Sequence, residues 1–187
     1  MKIIFAQGNP DLKYTKTRHN TGFLVVDAAA DKFDATWKEV DKYKSRIAET
    51  TLNGEKVLIV KPLSYYNDTG LVARTLVDYY SLDPAKDFLV VHDDLALPLG
   101  TIRIRDSGSD AGNNGIKSRN QHLGPQYQRI RVGIWTEERN KMDDVRFVLG
   151  TFLKPEQEKL NADIIPRVIT LIETFVAGTL ETTSMSV

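Results

Sequence analysis

Two four-residue runs, Ile3-Ile4-Phe5-Ala6 and Phe88-Leu89-Val90-Val91, are apolar at every position and are each followed at once by polar residues. They are too short for helices, and a strand with one wet face would alternate. Lys2 to Gln7 and Phe88 to Val91 therefore read as strands buried on both faces, which requires helices on each side of a sheet. Amphipathic spacing supplies those helices. One covers Thr21 to Phe33, with Asn20 or Thr21 to cap it; another covers about Asp68 to Tyr80, with Leu71, Val72, Leu76 and Tyr79 on one side; the longest covers about Pro155 to Val176.

Further strands fit the same sheet. Tyr43 to Thr51 and Lys56 to Lys61 face each other across Leu52-Asn53-Gly54, where Asn-Gly suits the positive φ angles of a tight hairpin. Thr101 to Arg105 alternates Ile102 and Ile104 with Arg103 and Arg105, and Arg129 to Ile134 repeats that alternation. Between them, the Gly- and Asn-rich loop Ser107 to Gly115 leads to a short helix ending near Leu123. His92-Asp93-Asp94 is expected where the second apolar strand ends. The chain has 187 residues, the size of one domain. The expected fold is α/β: a single domain over residues 1–187, three-layered α/β/α, with a mixed, mostly parallel central sheet.

Several function classes drop out. Without cysteine there is no thiolate catalysis, disulfide or iron-sulfur cluster, so any nucleophile is oxygen, nitrogen or water. The first apolar run is broken by Gln7-Gly8-Asn9-Pro10 too soon for a signal peptide, and no run approaches the ~18 residues of a membrane span. A cytoplasmic protein with no membrane partner is expected. Lys plus Arg and Asp plus Glu are both 25, yet charge is uneven along the chain. From Gly100 to Arg131, six basic residues face only Asp106 and Asp110, which suits a partner carrying a few clustered phosphates.

In α/β sheets, ligands bind beyond the carboxyl ends of the strands, so polar residues that follow apolar runs are the candidates for chemistry. These are Gly8-Asn9-Pro10 with Thr17-Arg18-His19-Asn20, then Tyr65-Tyr66-Asn67-Asp68, His92-Asp93-Asp94 and Gly112-Asn113-Asn114-Gly115. They offer a general base, an orienting carboxylate and neutral amide donors. Each has a plainer reading. Asn9 before Pro10 serves as a turn former, Asn20 as a helix cap, His19 or His92 as a packing residue, and His122 as peripheral. Asp93-Asp94 also admits a metal pair, although no His or Glu spacing converges on it, and no phosphate-loop or dinucleotide spacing occurs.

Over nearly its whole length the chain resembles the bacterial-type peptidyl-tRNA hydrolases. Their G-N-P and T-R-H-N-x-G appear as Gly8-Asn9-Pro10 and Thr17 to Gly22; their K-P-x-x-Y/F-M-N-x-S-G is similar to Lys61 to Gly70. H-D-D/E-L-x-L-P-x-G is met in full by His92 to Gly100, G-H-N-G-L/I-K/R-S is similar to Gly112 to Ser118, and R-I/L-R-I/V-G-I is met by Arg129 to Ile134. The resemblance implies hydrolysis of the ester joining a peptide to the 3′ ribose of tRNA. His19 would be the base and Asp93 its orienting acid. Asn9, Asn67 and Asn114 would hold peptide, water or oxyanion, with Tyr14, Tyr65, Tyr66 and Asn113 also against the substrate. Arg103, Arg105 and Arg131 would take the tRNA 5′ phosphate, with Lys117 also at the acceptor end. No cofactor and no metal are implied, and the partner is peptidyl-tRNA bound by a monomer. The alternative is an RNA-binding protein on the same fold that hydrolyses nothing. Three departures stand out: Asn113 where the family has His, Ala111 where it has Gly, and Tyr66 where it has Met.

Overall fold

The computed structural model describes residues 1–110 and 112–187; Ala111, one of the three departures, lies outside them. In chain order the elements are β1 (Lys2–Ala6), α1 (Thr21–Lys32), β2 (Trp37–Val40), β3 (Ser45–Leu52), β4 (Glu55–Pro62), α2 (Thr69–Tyr79), α3 (Pro84–Asp87) and β5 (Phe88–Pro98). There follow β6 (Thr101–Arg105), α4 (Asn114–Leu123), β7 (Gln128–Trp135), α5 (Asp144–Leu149), α6 (Lys154–Lys159), α7 (Ile165–Val176) and β8 (Ser184–Ser186). All the strands join one sheet in the order β2-β3-β4-β1-β5-β7-β6-β8.

β1 lies between β4 and β5 and runs parallel to both, and β5 runs parallel to β7. The outer pairings, β2 with β3, β3 with β4, β6 with β7 and β6 with β8, are antiparallel. The mixed α/β sheet expected from the sequence is thus present, but it is mostly parallel only at its centre: the three parallel pairings join the four central strands and the four outer pairings are antiparallel. Both apolar runs are buried on both faces as their composition requires. Ile4, Ala6, Leu89 and Val91 pack with residues of α1 and α7, while Ile3, Phe5, Phe88 and Val90 pack with residues of α2 and α4. The hairpin between β3 and β4 turns at Asn53 and Gly54, with φ of 52° and 81°.

Four readings of the sequence need correction. β5 does not stop before His92-Asp93-Asp94; its parallel ladder continues to the pairing of Asp94 with Gly133, so the triplet lies within the strand. On α2 the buried stripe is Val72, Ala73, Leu76 and Val77, whereas Leu71 and Tyr79 are exposed. The long C-terminal helix contains a π turn at Leu160–Ile164, just before Pro166, whose ring nitrogen has no proton for the helical ladder. Asn20 flanks α1 but gives it no side-chain cap, because its amide is used elsewhere. β2 and β8 also escape notice in the sequence, since β2 reads Trp-Lys-Glu-Val and β8 reads Ser-Met-Ser.

Close packing at the carboxyl ends of β1 and β5 sets where α1 begins. A Cβ on Gly22 would lie 2.5 Å from the carbonyl oxygens of both Gln7 and Val91. Only glycine therefore lets the first turn of α1 sit against both strand ends, and that turn carries the preceding residues over the edge of the sheet.

His92 is buried on β5, where Nδ1 donates to the Asp93 carbonyl at 2.6 Å and Nε2 has no partner among the described residues. Burial lowers its pKa to about 4; the charges of Asp93 and Asp94 pull upward, and that of Arg119 adds to the lowering. The folded protein thus holds a neutral imidazole. Its contribution to stability is complete above the unfolded value of ~6.5 and is lost as the pH falls from there towards 4, because the unfolded chain takes the proton first. Between pH 7 and pH 4.5, urea melts of the wild type should lose roughly 2 to 3 kcal/mol more than those of His92→Asn. Equal losses in the two proteins would show that another group causes the acid sensitivity.

Candidate active site

At the carboxyl end of the central strands, Gln7 follows β1 and is wholly buried. Its backbone N–H donates to the Val91 carbonyl at 2.9 Å, and its side-chain Nε2 donates to the carbonyl of Tyr66. Its Oε1 accepts from Thr69 Oγ1, at the start of α2, at 3.0 Å and from Arg119 of α4. Two residues on, Asn9 is fixed through its backbone: Asn20 Oδ1 accepts from Asn9 N–H at 2.8 Å, and Asn20 Nδ2 donates to Asn9 O at 2.9 Å. Asn9 Oδ1 then accepts from the backbone N–H of Tyr66 at 2.9 Å. Asn9 is a brace between two loops as well as a turn residue.

His19 occupies the middle of a single 3-10 turn, Arg18–Asn20, whose neighbours are both anchored. Arg18 is buried; its guanidinium bonds Glu156 at 2.7 Å and stacks over Phe147 at 4.3 Å, and its backbone N–H donates to Gly150 O at 2.9 Å. His19 Nδ1 lies 3.0 Å from Asp93 Oδ2. The other carboxylate oxygen, Oδ1, accepts from the Tyr66 hydroxyl at 2.6 Å. The rings of His19 and Tyr66 stack with centroids 3.5 Å apart and planes inclined by 13°. Tyr66 is itself buried, and its phenol is held well above the usual value by burial first and by the Asp93 charge second. It therefore remains a proton donor at neutral pH.

These groups border an open cavity of about 690 Å³. Of the residues singled out in the sequence, Asn9, Tyr14, His19, Tyr65, Tyr66, Asn67, Asp93, Asn113, Asn114 and Arg131 line it. Asn67 and Asn114 are exposed within it, and their amides have no hydrogen-bond partner among the described residues. Asn113 caps α4 by accepting from Ile116 N–H at 3.1 Å and donates through Nδ2 to the Tyr66 hydroxyl at 2.9 Å. Tyr65 stands at the rim with its hydroxyl on Asp11 at 3.1 Å. Val145, Val148 and Leu149 add an apolar wall, near which Arg139 holds Asp144 through two bonds of 2.8 and 3.1 Å.

Arg103, Arg105 and Lys117 do not line the cavity. Arg103 lies directly across the strand pair from the cavity-lining Arg131, and Arg105 lies across from Arg129, so the basic face continues outward from the pocket. Lys117 is exposed on α4. Arg131 bonds Asp94 at 2.5 Å, and Asp94 also accepts from Ala96 N–H at 2.9 Å. Asp93 and Asp94 are thus engaged separately, and among the described residues no group of three or more His, Cys, Asp or Glu side chains is arranged to hold a metal ion. Arg129 is buried and secures the loop before α4 through the carbonyls of Ser107 and Ser109. Burial lowers its pKa, and the nearby charges of Arg131, Arg119 and Arg105 act in the same direction. Gln7 shapes the site without being singled out from the sequence, where its only signal was a polar residue just after an apolar run, while Arg18 and Arg129 lay within the motifs but act as anchors of the backbone.

Comparison with known proteins gives the family. The family model described as Peptidyl-tRNA hydrolase matches residues 3–187. The chain is 44% identical over 162 residues to the peptidyl-tRNA hydrolase of Lactiplantibacillus plantarum, covering 86% of this chain and 85% of that protein. It is 42% identical over 182 residues to that of Gloeobacter violaceus, covering 97% and 90%. Among solved structures, peptidyl-tRNA hydrolase from Acinetobacter baumannii superposes with a TM-score of 0.86 at 30% identity, over 95% of this chain and 89% of that one. Sequence, fold and relatives agree along nearly the whole length, and the chain belongs to the peptidyl-tRNA hydrolase family.

Proposed function

We propose that this protein hydrolyses the ester between a peptide and the 3′ ribose of tRNA, with His19 as general base. The observation that carries this reading is the His19–Asp93 pair, 3.0 Å apart, at a cavity bordered by carboxamides. With Nδ1–H directed at the Asp93 carboxylate, Nε2 is the nitrogen left with a lone pair, and the charge of Asp93 stabilises the imidazolium once a proton arrives. His19 Nε2 takes a proton from water, the water oxygen bonds the ester carbonyl carbon, and negative charge moves to the carbonyl oxygen. Amide N–H groups of Asn9, Asn67 or Asn114 receive that charge. As the carbon–oxygen bond to the ribose breaks, His19 returns the proton to the 3′ oxygen, releasing peptide and tRNA.

Neutral amides suit an acylated nitrogen. A free α-ammonium would leave their acceptors and donors poorly matched, which is a physical basis for sparing aminoacyl-tRNA. Tyr14 and Tyr65 offer ring faces at the cavity, and Arg103, Arg105 and Arg131 offer guanidinium groups to phosphate, with Lys117 farther along α4. In this reading residues 1–187 act as one domain, as a cytoplasmic monomer without a metal or cofactor. No helix among the described residues is long and apolar enough to cross a membrane. A pure RNA-binding role would not require an oriented imidazole–carboxylate pair at the pocket.

Kinetic measurements test the reading. On a model N-acyl-aminoacyl-tRNA, His19→Ala should lower kcat/KM on the order of 10²-fold to 10⁴-fold. Because burial keeps His92 neutral down to about pH 4, His92→Asn should leave the pH profile of kcat/KM above that value unchanged; a profile altered by that substitution would contradict this assignment. Exhaustive chelation should leave turnover of a minimal substrate intact, whereas loss restored by one divalent ion would return Asp93-Asp94 to consideration as a metal pair. KM for full-length substrate should rise with ionic strength, and Arg103→Ala or Arg105→Ala should flatten that rise while kcat stays within about twofold. A large fall in kcat at unchanged KM would place these arginines at the reaction centre.

A further inference from the structure

Two of the positions at which the chain departs from the family pattern, Tyr66 and Asn113, touch one another and the catalytic pair. We infer that Tyr66 is a positioning residue which locks Asp93 and the plane of the His19 ring, and that Asn113 acts through it. The inference rests on the hydrolase reading for its kinetic consequences but not for its geometry. Asn113 Nδ2 donates to Tyr66 Oη at 2.9 Å, Tyr66 Oη donates to Asp93 Oδ1 at 2.6 Å, and Asp93 Oδ2 meets His19 Nδ1 at 3.0 Å. The chain of bonds has one direction, because an amide N–H can only donate and an ionised carboxylate can only accept.

Tyr66 is suited to this role by its anchorage. Its backbone N–H is held by Asn9, its carbonyl by Gln7 and its hydroxyl by Asp93 and Asn113, so the ring cannot slide relative to the imidazole stacked on it. Asn113 is fixed in turn at the start of α4 by its cap on Ile116. The charged and titratable groups acting on Tyr66 are Asp93 from β5 and Arg119 from α4, with His19 stacked on its ring. A methionine at position 66 could fill the space but could not donate a hydrogen bond. Asp93 is 2% exposed, so without the phenol its Oδ1 would lose a charge-assisted bond in a place that water barely reaches. A carboxylate held by a single partner can rotate, and His19 would then sample both tautomers and a wider range of ring planes.

Tyr66→Phe keeps the ring and removes the hydroxyl. It should lower kcat about tenfold with KM within twofold of wild type, since the hydroxyl that is lost bonds Asp93 and Asn113 and the ring that borders the cavity is kept. Asn113→Ser keeps an oxygen for the α4 cap but loses the amide nitrogen that reaches Tyr66, its single hydroxyl lying on the shorter side chain at the cap; it should lower kcat about threefold. Because Asn113 acts through the hydroxyl, the double variant should be no slower than Tyr66→Phe alone. Independently of turnover, ¹⁵N NMR of the His19 ring should show one tautomer, Nδ1–H, in the wild type and a mixture in Tyr66→Phe. Should Tyr66→Phe fail to fold, Asn113→Ser and the same NMR measurement carry the test. The inference is overturned if both variants keep wild-type kcat, if the losses appear in KM, if the two effects multiply, or if the His19 signals are unchanged. If the wild type itself does not turn over substrate, the hydrolase reading fails, and the NMR result alone decides the positioning role.

Discussion

The site depends on one buried carboxamide. Gln7 stands where β1 leaves the sheet, and its side chain makes bonds to Tyr66 and Thr69, just before and at the start of α2, and to Arg119 of α4, two parts of the chain remote from it in sequence. A buried amide with unmet bonding capacity is costly, so these segments must meet there for the fold to be stable. Two glycines mark how closely they meet. A Cβ on Gly22 would collide with the backbone of Gln7, and one on Gly115 would collide with its side chain. The loops bearing His19, Tyr66 and Asn114 are therefore not placed independently; they converge on a common reference point at the end of the central strand.

A second network holds His19 from the opposite side. The Arg18–Glu156 pair is buried against Phe147, and truncating either partner would leave an uncompensated charge in an apolar setting, at a cost of about 3 to 5 kcal/mol. That strong interaction lies one residue from His19, whereas the cavity wall holding the imidazole is open. The site thus combines a rigid backbone with a side chain that remains accessible, which is what proton transfer to a diffusing substrate requires. The remaining constraint on the imidazole comes from Asp93 and the tyrosine ring beneath it.

Much of this was legible in the sequence, for identifiable reasons. Ile3 to Ala6 and Phe88 to Val91 marked the central strands because four successive apolar side chains point to both faces of a strand, and both faces must then be covered. Asn53-Gly54 marked the hairpin because few residues tolerate two successive positive φ angles. The candidate polar clusters were found by the rule that strand ends carry chemistry, and His19, Asp93, Asn9 and Tyr66 do meet in space. Apart from the pairing of His19 with Asp93, which the family resemblance implied, what sequence could not reveal was partnership. Asn20 has the composition of a helix cap and instead clamps Asn9; Asp94 follows Asp93 yet belongs to Arg131. Tyr66 and Asn113 each looked like an isolated departure, and 46 intervening residues hid the bond between them. Leu71 and Tyr79 fit a helical stripe but are exposed, because the face of α2 that meets the sheet is set by its approach to α4.

The pairing of β6 with β7 places Arg103 opposite Arg131 and Arg105 opposite Arg129, with Asp94 the carboxylate bonded to this group. Like charges facing each other across a strand pair oppose the pairing that holds them there. Mobile ions shield that repulsion, and they equally shield any attraction between the same guanidinium groups and a phosphate. Electrolyte therefore acts on this face twice over: it eases the repulsion between the facing guanidinium groups and loosens their hold on an anionic partner.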